Sequence, residues 1–271
     1  SMEQVRAFEG LDAQILTRDR PGPGGYAARN VAAAHARSAW VAFLDADDEW
    51  LPSHLAEIDR LIAVAGPEVG CVFTGFQVSA GGRRTTVRVG GVGDEPTRLD
   101  LDAFLDLWLR DGRCPVCTDV IAVRRELLLD VGGFPDGECR VGGDRDLWLR
   151  LLARGPALAS ALIGAVYHRD SVNMVTRRQP PPAVPCLYRA ITALQAGAPP
   201  ATTVRLRRLY NLTAYRHVRS LAGRLPIAPA AYSDFWLGAD RLRYLAVRLL
   251  ALMPLSLMRS MRRLGAGAEP P

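Results

Sequence analysis

The sequence predicts a mixed, mainly parallel α/β sheet flanked by helices, followed by an α-helical C-terminal extension. Three observations carry that expectation. Short apolar runs of strand length alternate with helix-period segments as far as residue 176. One of those runs, 40–44, is apolar throughout and ends directly in Asp45, Asp47, Asp48 and Glu49, and ligands of open α/β sheets gather at the carboxyl ends of strands. Beyond a proline-rich stretch at 177–185, every remaining segment to 271 reads as helix. The expected organisation is therefore an α/β domain at 1–176, a stiff linker at 177–185 and a helical unit at 186–271.

Composition narrows the class. With 271 residues, 49% hydrophobic and 23% charged, the chain can bury one good core and a small second unit. The net charge is +6, and all 34 basic residues are arginine. Their excess lies in the second half, which points to an anionic surface as partner. The five cysteines form an odd set without a regular framework, so reduced thiols and a cytoplasmic location are expected. Residues 1–10 lack the apolar core of a leader. No stretch reaches the roughly 18 uninterrupted apolar residues of a membrane span.

Taken in order, residues 3–8 read as a helix end closed by Gly10, 13–16 as a short strand, and 19–25 as a turn. The alanine-rich segment 26–37 predicts a helix with one apolar face. After the strand at 40–44 and its carboxylates, Ser53 is placed to cap a helix carrying Leu55, Ile58, Leu61 and Ile62. Strand patterns at 69–78 and 85–89 flank Gly81-Gly82, which predicts a hairpin. Helix is expected at 101–109, strand at 118–123, and a short helix at 124–131 stopped by Gly132-Gly133. A helix at 144–153 and a strand at 157–167 complete the unit. The extension predicts helices at 186–197, 201–223 and 230–264, the last broken near Pro254.

Three motifs stand in a fixed order: Gly22-Pro23 with Ala28-Arg29-Asn30; Asp45-Ala46-Asp47-Asp48-Glu49-Trp50; and Gly132-Gly133-Phe134 followed by Gly143-Asp144-Arg145-Asp146-Leu147-Trp148-Leu149-Arg150. Taken alone, a carboxylate cluster such as the second is equally well a helix cap or a solvated turn. The ordered set closely resembles glycosyltransferase family 2, inverting enzymes of the GT-A fold, over residues 10–176. The resemblance implies transfer of a sugar from a nucleotide-diphosphate donor to an acceptor hydroxyl in envelope polysaccharide or glycolipid synthesis. It implies a divalent cation, Mn²⁺ or Mg²⁺, with Asp47 as direct ligand and Asp45 as ligand or ribose contact. Arg29 and Asn30 match the donor-contacting positions, and Asp144, with Asp146 second, matches the general base. The family's glutamate before that aspartate is replaced by Gly143. Near the end of the unit, Asp170 or His168 falls where the family places a further metal ligand.

The resemblance also implies a base-binding strand with paired aspartates that has no counterpart before Glu3. Weak nucleotide-sugar binding is expected on that account, and a non-catalytic, membrane-associated remnant is the rival reading. Cys114 and Cys117 have neither a second pair at zinc spacing nor a redox-type surrounding, so they carry no expected chemistry. The segment 240–264 is apolar with arginines along it, as in a helix that lies on an anionic membrane. The tail's arginines border apolar rather than aromatic residues, which argues against nucleic acid. The expected placement is thus cytoplasmic, peripheral at the inner face of the plasma membrane.

Overall fold

The computed structural model describes residues 14–19, 25–89, 95–137, 139, 141–170, 184–238 and 240–266, the last six without side chains. The expected helix end at 3–8, the glycine–proline turn at 20–24, Asn173 and most of the linker lie outside the described residues. So does Ala13; residues 14–16 of the first expected strand form no regular element.

Helix α1 (Tyr26–His35) leads into β1 (Trp40–Ala42) and β2 (Glu49–Trp50), then α2 (His54–Val64). A long strand β3 (Cys71–Ala80) folds back on β4 (Arg83–Val87) across Gly81 and Gly82, whose φ angles are 57° and 73°. Two successive left-handed residues match the twist of a tight hairpin, and glycine takes them without penalty. Next come β5 (Thr97–Leu99), which has too short a pattern to be foreseen, and α3 (Leu101–Asp111). Asp100 caps α3 by accepting the Ala103 amide at 2.8 Å. A 3₁₀ turn (Thr118–Val120) enters β6 (Ile121–Arg124), followed by α4 (Arg125–Asp130), α5 (Gly143–Leu152) and β7 (Ala157–His168).

The seven strands form one sheet in the order β1-β6-β3-β7-β2, with β4 added to β3 and β5 to β7. The sheet is mixed, as expected, but parallel pairing among the described strands is confined to β3 and β7. The other pairs are antiparallel, which corrects the expected parallel majority. The β3-to-β7 passage holds helices that can serve as a crossover, whereas a two-residue turn such as β3–β4 allows only reversal.

Both faces of the sheet are covered, as the alternation at the start of β3 shows. Cys71 and Phe73 point into the main core with α3 and α5, while Val72 packs with Ile58 and Leu61 of α2 on the opposite face. Fully burying a side chain such as Phe73 contributes about 2–3 kcal/mol relative to exposure.

The extension comprises α6 (Leu187–Gln195), α7 (Pro200–Leu221), α8 (Arg241–Leu252) and α9 (Leu255–Ala266). Tyr188, Leu206, Leu209 and Val218 belong to the same core as Phe73 and Trp148. The helices on the two sides of the expected linker therefore share one interior. Cys139 and Cys186 are joined by a disulfide, with Cα atoms 5.8 Å apart. The expectation of five reduced thiols is corrected for this pair: folding closes a separation of 47 residues that spacing alone does not reveal.

Candidate active site

The chain from β1 to β2 turns sharply, with the Asp48 amide donating to the Asp45 carbonyl at 3.1 Å. That turn carries Asp45 and Asp48 inward and leaves Asp47 exposed. A third carboxylate, from Asp119 in the 3₁₀ turn before β6, meets them, and one oxygen from each lies within 4.8 Å of the others. Asp119 is buried at 1% exposure. Its Oδ1 accepts the Asp45 amide at 2.7 Å, and its carbonyl accepts Trp50 Nε1 at 2.7 Å. Asp48 Oδ1 accepts the His168 amide at 2.7 Å, while its Oδ2 is buried without a partner among the described residues.

Three acids held this way oppose one another. Burial, and then the neighbouring Asp119 charge, push the Asp48 carboxyl up to about 8. Burial and the Asp45 charge push Asp119 up as well. An all-oxygen donor set with an orphaned buried oxygen and unrelieved repulsion fits a hard divalent cation. Neither Asp47, His168 nor Asp170 is in this cluster. His168 offers its backbone amide to Asp48 and turns its ring toward Glu49, Nε2 to Oε2 at 3.6 Å. Asp170 Oδ2 accepts the Gly81 amide of the β3–β4 turn at 2.6 Å.

Arg29, on the first turns of α1, forms an ion pair with Asp45 and lies over the Phe134 ring, 5.4 Å from its centroid. Its neighbour Asn30 is engaged with backbone. Its Nδ2 donates to the Phe134 carbonyl at 2.9 Å and its Oδ1 accepts the Phe134 amide at 2.8 Å. Asn30 thus clamps the Gly133–Phe134 loop that precedes α5.

The two aspartates of α5 differ sharply. Asp144 is half-buried in the first turn of α5, and the residue at the cap position is Gly142, so Asp144 does not cap. Asp146 is completely buried. Its Oδ1 accepts Arg150 Nε and Arg189 Nη2, each at 2.8 Å. Arg150 continues to the Gly133 carbonyl at 2.8 Å. Asp146 therefore ties α5, α6 and the loop before α5 together. Gly143 has a reason to be glycine: a Cβ there meets Pro135 Cγ at 2.6 Å and Tyr26 Cε2 at 2.9 Å. The Gly143 amide donates to the Tyr26 hydroxyl at 2.9 Å. The missing glutamate has no room in this packing.

Asp119 escaped the sequence reading, which placed it in a strand. Its trace in the sequence is one acid between Val116 and Val120-Ile121, in a run otherwise destined for the interior. Cys114 and Cys117 are free thiols, and burial pushes Cys114 up to about 12 and Cys117 upward as well. They stay protonated and inert.

Residues 2–131 match the model of the glycosyl transferase family 2. The fold is similar to that of residues 1–349 of S. aureus TarS, solved with UDP-GlcNAc. There the TM-score is 0.67 at 14% identity, over 97% of this chain and 79% of that one. It is also similar to the mannosyltransferase PcManGT from Pyrobaculum calidifontis, solved with GDP-Man and Mn²⁺. That match has a TM-score of 0.50 at 18% identity, over 97% and 72% of the two chains. A third likeness is to GalNAc-T7 with UDP, GalNAc and Mn²⁺, at TM-score 0.50 and 15% identity, over 93% and 49%. No curated protein matches the sequence significantly. Residues 2–131 thus match glycosyl transferase family 2, and the chain has the GT-A fold of these solved glycosyltransferases.

Proposed function

We propose that this chain transfers a sugar with inversion from a nucleoside-diphosphate sugar to an acceptor hydroxyl. The observation that carries the reading is the Asp45–Asp48–Asp119 cluster beside Arg29, inside the family 2 segment. We assign these three carboxylates, rather than Asp47, to the divalent cation, Mn²⁺ or Mg²⁺. Such an ion, when bound, supplies Lewis-acid neutralisation of the departing diphosphate. Asp47 stands exposed at the mouth, where it can reach ribose or sugar hydroxyls. Arg29, beside Asp45, orients the donor phosphates. Asp144 takes the proton of the acceptor hydroxyl, since it is half-buried at the start of α5 and free of the pairing that engages Asp146. Asp170 and His168 serve the framework around the site more than the ion itself.

Calorimetric titration with UDP and with GDP, each with and without Mn²⁺, tests the reading. Binding of one nucleotide that requires the ion is the expected result. Absence of binding by either nucleotide in the presence of Mn²⁺ overturns it.

Membrane placement completes the proposal. No described helix is long and apolar enough to cross a bilayer. Helix α8 buries Val247 against the body, while Leu242, Leu245, Leu249 and Leu252 form an exposed stripe, with Leu242 at 82% and Leu252 at 74% exposure. Arg241 and Arg248 stand exposed on the same helix. A leucine stripe with arginines suits the interface of an anionic cytoplasmic leaflet and a lipid-linked or envelope acceptor. The chain is expected to float with phosphatidylglycerol-containing vesicles, and the Leu245→Glu/Leu249→Glu variant is expected to remain at the bottom of the gradient. Equal flotation of both proteins refutes the placement.

A further inference from the structure

Away from the carboxylates, a cavity of about 400 Å³ opens between the end of α3, the start of α5 and the helices α6 and α7. Its floor is apolar, with Trp108, Leu187 and Leu212. Its polar lining holds Arg113, Arg145, Arg216 and Arg224 beside Thr213, His217 and Ser220, with no carboxylate among the described lining residues. None of these four arginines forms an ion pair among the described residues. The Arg216 guanidinium lies over Gly112, where a Cβ would come within 2.8 Å of its Nη2, so the absence of a side chain there makes its room.

All four arginines are exposed at the rim of the cavity and carry one sign of charge. Burial, and then the charges of Arg145, Arg243, Arg219 and Arg113, lower the proton affinity of Arg216. Like charges gathered over an apolar floor, with no carboxylate among the described lining residues, form a receptor for an anion attached to an apolar or ring-shaped body. The position links the cavity to the chemistry. Arg145 directly follows Asp144, and Cys114 of the lining lies five residues before Asp119, at most about 18 Å along the chain. Arg243 on α8, which pairs with Asp240 at 2.7 Å, lies near enough to act on Arg216 as well.

We infer that the cavity bounded by Arg113, Arg145, Arg216 and Arg224 is the acceptor subsite and that it selects an acceptor carrying a phosphate group. Naming the ligand an acceptor rests on the glycosyl-transfer reading above; the anion site itself does not. A phosphate carries up to two charges and three oxygens, which several guanidinium groups can bind at once, whereas a carboxylate satisfies one fork.

The test is calorimetric titration of the full chain at low ionic strength with phenyl phosphate, benzoate and phenyl β-glucoside, in the absence of Mn²⁺. Phenyl phosphate is expected to bind, benzoate about tenfold more weakly, and the neutral glucoside not measurably. Arg216→Gln and Arg224→Gln are each expected to weaken phenyl phosphate about tenfold. Their melting temperatures are expected to be no lower than wild type, because each substitution relieves repulsion. Nucleotide binding with Mn²⁺ is expected to be unchanged in both. Asp48→Asn gives the converse result, losing Mn²⁺-dependent nucleotide binding while keeping phenyl phosphate. Failure of nucleotide binding with phenyl phosphate binding intact therefore counts against glycosyl transfer and leaves the anion site standing. No binding of phenyl phosphate overturns the inference. So does glucoside binding as tight as phosphate, benzoate binding as tight as phosphate, or an unchanged affinity in both arginine variants.

Discussion

Replacing Asp144 with Asn is expected to lower turnover by about 10²–10⁴-fold, the usual contribution of a positioned general base, while leaving nucleotide affinity and melting temperature near wild type. Asp144 sits half-buried in the first turn of α5 and appears in no ion pair among the described residues, so its amide replacement disturbs little else. Asp146, two residues on, should behave in the opposite way. It is completely buried and holds both Arg150 and Arg189. Asp146→Ala removes the acid shared by the part-buried Arg150 and the exposed Arg189 and is expected to cost about 1–3 kcal/mol of stability. Denaturant unfolding followed by circular dichroism reads the second effect, and single-turnover kinetics with donor and acceptor reads the first. A stable Asp146→Ala with slow chemistry, together with an active Asp144→Asn, would exchange the two roles.

The second large effect concerns the carboxylate cluster and carries a sign. The Asp48 carboxyl is pushed up to about 8 in the folded chain, against about 3.9 in an unfolded one. Between those values the folded state binds the extra proton. In the absence of metal, stability is therefore greatest at the acid end and falls as pH rises from about 4 toward 8. A divalent ion offsets that loss where the carboxylates are ionised, so stabilisation by Mn²⁺ should be larger at pH 8 than at pH 6. At about one hundred times its Kd the ion contributes about 2.7 kcal/mol, roughly 5–10 °C in Tm for a chain of this size. Asp48→Asn should raise the Tm of the metal-free protein at pH 8, because the amide still accepts the His168 N–H without its charge. The same substitution should abolish the Mn²⁺ increment. Thermal melts at pH 6 and pH 8, with Mn²⁺ and with EDTA, check all of these signs. An unaltered Mn²⁺ increment in Asp48→Asn would remove this residue from the cation site.

Much of this was legible from residue order alone. The apolar run at 40–44 ending in carboxylates, the arginine–asparagine helix before it and the aspartate-bearing helix at 144–153 are local patterns. Their periodicity and spacing survive without knowledge of the fold. The hairpin at Gly81-Gly82 and the break at Pro254 were legible for the same reason, since glycine and proline act on their own backbone.

Other features depend on contacts between distant residues. Asp119 joins Asp45 across 74 positions, and a pattern of near neighbours contains no trace of that meeting. Asn30 spans 104 positions to clamp Phe134, and Cys186 reaches Cys139 across 47. Asp144 and Asp146 look alike in sequence, yet the arginine of α6 makes one a buried anchor and leaves the other half-open. Residue types and their order are enough to specify the α/β unit, the helical extension and the family 2 motifs. The partners of each carboxylate follow from burial and charge pairing, which exist only once the sheet has set β1 beside β6 and β2 beside β7.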